Sequence, residues 1–230
     1  MKTKVISLLL CLGMIVACNN TQKGAAIGAG GGAVLGGIIG AIAGNTAIGA
    51  AVGGAVGAGA GAIIGKKMDK AKAEAQKVQN AQVETVTDAN GLQAVKVTFD
   101  SGILFTTGSS TLSSTAKNSL TQFSNVLKGN ADCDVAVQGY TDNAGWKNST
   151  AEQSQQKNLN LSQQRAQAVT NYLQSLGVSS TQIRSTTGFG EANPVADNST
   201  AAGKAQNRRV EVYMYASQKM IQEANAQAGN

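Results

Sequence analysis

The sequence contains no histidine, one proline, one tryptophan and three cysteines. Each shortage removes a class of function. Without histidine there are no Ser-His or Cys-His triads, few routes to a zinc site and none of the general bases most used near neutral pH. Any catalysis would rest on carboxylates alone, and no pair of them is placed for it, so neither an enzyme nor a resident metal or cofactor is expected. Aromatic residues make up 4% of the chain, too few for the stacking platforms that hold single-stranded nucleic acid. The formal net charge is +6, but Lys2 and Lys4 fall in a segment expected to be removed. Residues 91–216 carry ten Lys and Arg against eight Asp and Glu. These are scattered rather than gathered into a stripe, so nucleic acid is not an expected partner.

Residues 1–17 have the form of an export signal, with Lys2 and Lys4 ahead of the apolar stretch Val5 to Val16. The run Ile15-Val16-Ala17-Cys18 resembles the bacterial lipobox, a branched apolar residue, two permissive positions and then cysteine. The resemblance implies cleavage before Cys18 and acylation of that residue, with 18–23 as a lipidated N-terminus and membrane lipid as a partner. Cys11 then leaves with the signal, and Cys133 has no partner for a disulfide. At the start of an expected strand, Cys133 reads as a small buried apolar side chain.

What the chain has in excess is glycine. Residues 24–65 hold 16 of the 28 glycines and no charge. Gly24, Gly28, Gly32, Gly36, Gly40 and Gly44 are four apart; after Asn45-Thr46 the phase resets, and Gly49, Gly53, Gly57, Gly61 and Gly65 are four apart again. That spacing lays glycine along one helix face, where another backbone can approach closely. Two helices folded back at Asn45-Thr46 are expected. Glycine costs about 1 kcal/mol against alanine in a helix in water, so lipid or tight helix pairing has to compensate. The pattern resembles the glycine-zipper segments of bacterial outer-membrane lipoproteins. Insertion into the membrane and self-association into a homo-oligomer both fit it.

Residues 66–81 turn charged and alanine-rich, and read as a solvated connecting helix, with Lys66 and Lys67 as interfacial anchors. From Gln82 the pattern alternates: a hairpin turning at Asp88-Ala89-Asn90-Gly91, a helix over 112–127 capped by Ser113 or Ser114, a strand over 135–140, a polar loop over 142–157, a helix over 158–176, and strands over 183–189 and 210–215. The tail over 217–230 is polar. The domain proper is expected over 82–216. Strand, helix, strand, helix, strand, strand makes an α+β fold, a two-layer α/β sandwich with helices on one face of a mixed sheet, preceded by the glycine-zipper hairpin.

The helix over 158–176 presents an apolar face of Leu161, Ala168, Val169, Tyr172, Leu173 and Leu176. Arg165 stands in the middle of that face. A guanidinium there is costly to bury alone, so either a carboxylate meets it or it lies at the edge of a pocket awaiting one. The nearest candidate upstream is Asp142.

Three blocks, GYTDNAG, NLNLSQQRAQAV and GFGEANPVADNSTAAGKAQNRRVEV, resemble the OmpA C-terminal-like domain that peptidoglycan-associated lipoproteins carry. The resemblance covers about Val95 to Tyr215. It implies non-covalent binding of peptidoglycan through the diaminopimelate of its stem peptide, with Asp142 and Arg165 as the principal contacts, Arg208 as a further one, and Asn158 and Thr141 as weaker carry-overs. Arg209 is expected to be structural. The chain departs from the family where Phe105-Thr106 replaces Phe-Asp, and where the stretch WKNSTAEQSQQK lengthens the loop after Asp142, bringing in Trp146, placed to cover the pocket. The leading expectation is a tether between outer membrane and cell wall. The alternative is a membrane-associated oligomer in which the zipper is the working part.

Overall fold

The computed structural model describes residues 56–229, apart from 57, 89–90 and 107. The expectations for the export signal, for Cys18 and for the zipper hairpin up to residue 55 fall outside the described residues. The elements are α1 (Ala58–Ala75), β1 (Ala81–Thr87), β2 (Gln93–Asp100), α2 (Ser101–Leu104), α3 (Ser114–Gly129), β3 (Cys133–Gly139), α4 (Ala151–Ser175), β4 (Ile183–Gly188), α5 (Ala201–Asn207), β5 (Arg209–Ala216) and α6 (Gln218–Gln227). The five strands form one sheet in the order β1-β2-β5-β3-β4. Only β3 and β4 run parallel; every other neighbouring pair is antiparallel. This is the expected α+β sandwich on a mixed sheet.

Alternation along the strands sets the two faces of the sheet. Val95, Val97, Phe99, Val135, Val137, Val210, Val212 and Met214 point into one apolar core. Ala116, Leu120, Phe123 and Leu127 of α3 and Ala166, Val169 and Leu173 of α4 close over them. Phe99 meets Phe123 edge to face, with ring centroids 5.6 Å apart. The opposite face carries Lys96, Gln138, Glu211 and Tyr213. Here Tyr213 donates to Glu211 at 2.6 Å, and Arg209 pairs with Glu211 at 2.7 Å while its guanidinium stacks 3.8 Å over Tyr140. Arg209 is 4% exposed and belongs to this structural network.

α4 positions the site and is longer than expected. It starts at Ala151, behind a capping box in which Gln153 N–H donates to Thr150 Oγ1 and Thr150 N–H donates to Gln153 Oε1. Half of the stretch taken for an inserted loop is therefore helix. The buried stripe is mostly polar in its N-terminal part, with Ser154, Asn158, Leu161, Ser162 and Arg165, and mostly apolar beyond it, with Ala166, Val169, Thr170 and Leu173. Two glycines let it sit directly on the sheet. A Cβ on Gly139 would stand 2.2 Å from Ser162 O, and one on Gly188 2.2 Å from Gln163 N. Backbone meets backbone at the ends of β3 and β4, so the loops leaving those strands open beside the polar part of α4.

The expectation for 66–81 is corrected. α1 runs unbroken from Ala58 to Ala75, across the boundary drawn at Gly65. Ala60, Ile64, Met68, Ala71 and Ala75, all 0% exposed, form one stripe in the core. Lys67 ion-pairs with Asp132 at 2.6 Å rather than standing as an interfacial anchor. The polar tail is also partly inside: Met220, Ile221 and Ala224 of α6 are buried in the same core, and the α1–α6 packing brings Gly59 so close that a Cβ there would stand 3.0 Å from Ala228 Cβ. Alanine carries too little hydrophobic contrast for the stripe to show among lysines. Among the described residues no helix is long and apolar enough to cross a membrane.

Candidate functional site

Where the β3–α4 and β2–α3 connections meet the start of β5, the protein has a cavity of about 820 Å³. Asp142, Arg165, Arg208, Asn158 and Thr141 all line it, together with Phe105, Thr106, Trp146 and Lys147. The chain thus brings the five residues expected as ligand contacts onto one cavity.

The sequence left open whether a carboxylate meets Arg165 or a pocket lies beside it. Asp142 and Arg165 make no ion pair with each other. Arg208 Nη1 donates to Asp142 Oδ2 at 2.5 Å, and Asp142 Oδ1 accepts from Ala144 N–H at 3.1 Å. Asp142 is 7% exposed, held from both sides. Arg165 is 4% exposed. Its Nε donates to Ser109 O at 3.0 Å, and its guanidinium lies 5.2 Å over the Phe105 ring. Among the described residues no carboxylate meets it. Burial, and then Arg208, push the Arg165 guanidinium down from its ordinary value, with Asp142 acting in the opposite sense; a guanidinium nevertheless keeps its charge in proteins. Thr106 stands where the family pattern has an acid, so the cavity is lined by one carboxylate against Lys147, Arg165 and Arg208. Such a cavity favours a ligand that brings a carboxylate of its own.

Asn158 works as a brace. Its Nδ2 donates to Ala144 O at 3.2 Å, and its Oδ1 accepts from the Trp146 indole N–H at 2.7 Å. Trp146 N–H in turn donates to Ser154 Oγ at 3.0 Å. The loop after Asp142 is thereby fastened to the first turns of α4. Thr141 is fixed through its backbone N–H, which donates to Gly190 O at 2.8 Å; its hydroxyl is buried without a partner, as is that of Ser101 on the same cavity. Sequence reasoning missed Ser101, Lys147 and the Phe105 platform under Arg165. No spacing marks them, because two separate connections bring them together: Ser101 and Phe105 follow β2, and Lys147 follows β3.

A family model described as "OmpA family" matches residues 104–208, and one described as "YMGG-like Gly-zipper" matches residues 1–69. The chain is similar to the Probable lipoprotein YiaD of Escherichia coli, 38% identical over 149 residues, 65% of this chain and 63% of that protein. It is also similar to the Peptidoglycan-binding protein ArfA of Mycobacterium bovis, 42% identical over 93 residues, 40% of this chain and 26% of that protein. It therefore spans less than two thirds of the length of either relative. Among solved structures, the cell wall anchor of the T6SS from Pseudomonas aeruginosa superposes with a TM-score of 0.52 at 27% identity, over 65% of this chain and 97% of that one. Residues 104–208 of the chain are thus similar to the OmpA family, and residues 1–69 to the YMGG-like Gly-zipper family.

Proposed function

We propose that this protein is a non-enzymatic outer-membrane lipoprotein that tethers the membrane to the cell wall by holding the diamino-acid residue of the peptidoglycan stem peptide without covalent chemistry. Acyl chains on Cys18 would hold it in the membrane, with the OmpA-family domain facing the wall from the periplasmic side. The observation that carries the reading is Arg165: buried, charged, on the wall of a cavity and without a carboxylate partner among the described residues. A buried guanidinium left in this state is costly in the free protein, and a ligand carboxylate relieves it. Because Nε is committed to Ser109 O, the two terminal nitrogens grip the carboxylate end-on through parallel hydrogen bonds.

Asp142 receives the ligand ammonium in competition with Arg208, which then turns toward a ligand oxygen. Thr141 stands on the cavity wall beside Asp142, and Asn158 holds the loop that frames the ligand. Similarity to a peptidoglycan-binding protein and to a cell wall anchor supports the same reading. Hydrolysis has no basis in the cavity: its single acid is tied to Arg208, whereas wall-glycan hydrolysis by carboxylates needs a pair.

Calorimetric titration with stem tetrapeptides that carry diaminopimelate or lysine at the third position tests this. Inside the tetrapeptide lysine has no free carboxylate beside its ammonium, and that peptide is expected to bind at least about tenfold more weakly, a difference of about 1.4 kcal/mol. Equal affinity for the two, or binding of neither, contradicts the proposal.

A further inference from the structure

The cavity is larger than one amino-acid residue requires. At about 820 Å³ it lies in the upper part of the roughly 300–1,000 Å³ range of sites that enclose whole drug-sized molecules. Part of its wall is Trp146, the only tryptophan in the chain. Among the described residues Trp146 joins neither apolar core cluster. Two hydrogen bonds fasten it at the cavity instead, from its indole N–H to Asn158 Oδ1 at 2.7 Å and from its backbone N–H to Ser154 Oγ at 3.0 Å. The Lys157 ammonium lies 5.8 Å from the ring centroid. The indole N–H is thus occupied, and Trp146 stands on the wall of a cavity that also carries charged and hydroxyl groups. On the same cavity, Ser101 Oγ and Thr141 Oγ1 belong to residues 2% and 4% exposed and have no protein partner. Buried hydroxyls of this kind carry a desolvation cost until something meets them.

A ligand that uses both features has an apolar face and a hydroxylated rim. A pyranose ring has that shape: axial C–H groups on one face, which settle on an aromatic ring, and hydroxyls around the edge. We infer that Trp146, with the Ser101 and Thr141 hydroxyls, forms a saccharide subsite beside the Asp142–Arg165 site. The inference rests on the proposed peptidoglycan reading, in which the stem peptide is joined to a sugar. The protein then grips the wall at the junction of glycan and peptide rather than by the diamino acid alone.

The test uses the full chain in detergent micelles and two probes, the diaminopimelate-containing stem tripeptide and the same tripeptide joined to its disaccharide. Tryptophan emission reports on Trp146 alone. The disaccharide form is expected to bind about three- to tenfold tighter than the bare peptide, and to be the only one of the two that shifts the emission. Trp146→Ala should bring the two affinities together, whereas Trp146→Phe, which keeps the ring but cannot donate to Asn158, should retain most of the difference. Equal affinity for the two probes in the wild type overturns the inference, as does a difference that survives Trp146→Ala. If Trp146→Phe loses binding of the bare peptide as fully as Trp146→Ala does, Trp146 acts only by bracing Asn158 and the inference also falls. Binding of neither probe would overturn the peptidoglycan reading itself.

Discussion

Arg208 Nη1 stands 2.5 Å from Asp142 Oδ2, and that pairing leaves Arg165 on the same cavity without a carboxylate. The resting site therefore holds an unspent cation. On the proposed function, stability and binding are set against each other at this residue. Arg165→Met keeps much of the volume and the contact with Phe105 while removing the desolvated charge, and it orphans no acid. It is expected to raise the thermal midpoint by about 2–4 °C, corresponding to about 1 kcal/mol, and to abolish diaminopimelate binding. Scanning calorimetry paired with titration reads both; a lowered midpoint would mean that Arg165 is a structural support.

Gly139 and Gly188 determine how closely α4 sits on the sheet. A methyl at either would fall 2.2 Å from helix backbone, which a side-chain adjustment cannot relieve. Gly139→Ala and Gly188→Ala are each expected to cost at least about 2 kcal/mol in urea unfolding. Gly145, where an added Cβ meets nothing closer than Ser154 Oγ at 3.8 Å, serves as the control, with a change under about 0.5 kcal/mol. Tolerance at Gly139 or Gly188 would mean that α4 rests higher on the sheet than described.

The strands and α3 were legible because each has a local signal, alternation in the strands and a serine cap on α3, and Arg165 stood out as a charge interrupting an apolar face. The start of α4 had a signal too, Thr150 and Gln153 in a capping box, masked by the polar composition around it. α1 was not legible as part of the domain. Its stripe is mostly alanine, and the change from glycine-rich to lysine-rich composition at Gly65–Lys66 falls inside one helix. Nor could local pattern show that Arg208 takes Asp142, since 66 positions separate the two.

The place of α1 has a direct consequence for the extent of the folded unit. A fragment beginning at residue 82 loses Ile64 and Met68 from the core and uncovers Met220 and Ile221. At about 1.5–3 kcal/mol for each large apolar side chain, it is expected to melt about 10 °C or more below a fragment beginning at residue 56. Equal midpoints would mean that α1 is dispensable.

Cys133, 2% exposed, has its thiol pushed up to about 12, first by burial and then by Asp132. A native fragment beginning at residue 56, in which Cys133 is the one cysteine, should be inert to a disulfide reagent at pH 8 and react only in denaturant. The thiol is harder to ionise in the folded state than in the unfolded one. Its contribution to stability is therefore complete below the ordinary thiol value near 9 and lost as pH rises toward about 12. Cys133→Ala or Cys133→Val should flatten that alkaline loss. Rapid labelling of the native fragment at pH 8 would contradict the buried placement.

The central claim is that Asp142 and Arg165 hold the cell wall. Sedimentation of the full chain in detergent with purified insoluble peptidoglycan tests it most directly. Wild type is compared with Asp142→Ala and Arg165→Ala, each shown by circular dichroism to be folded. The account expects wild type to pellet with diaminopimelate-containing walls and both variants to stay in solution. Wild type remaining in solution, or either folded variant pelleting as fully as wild type, would contradict it.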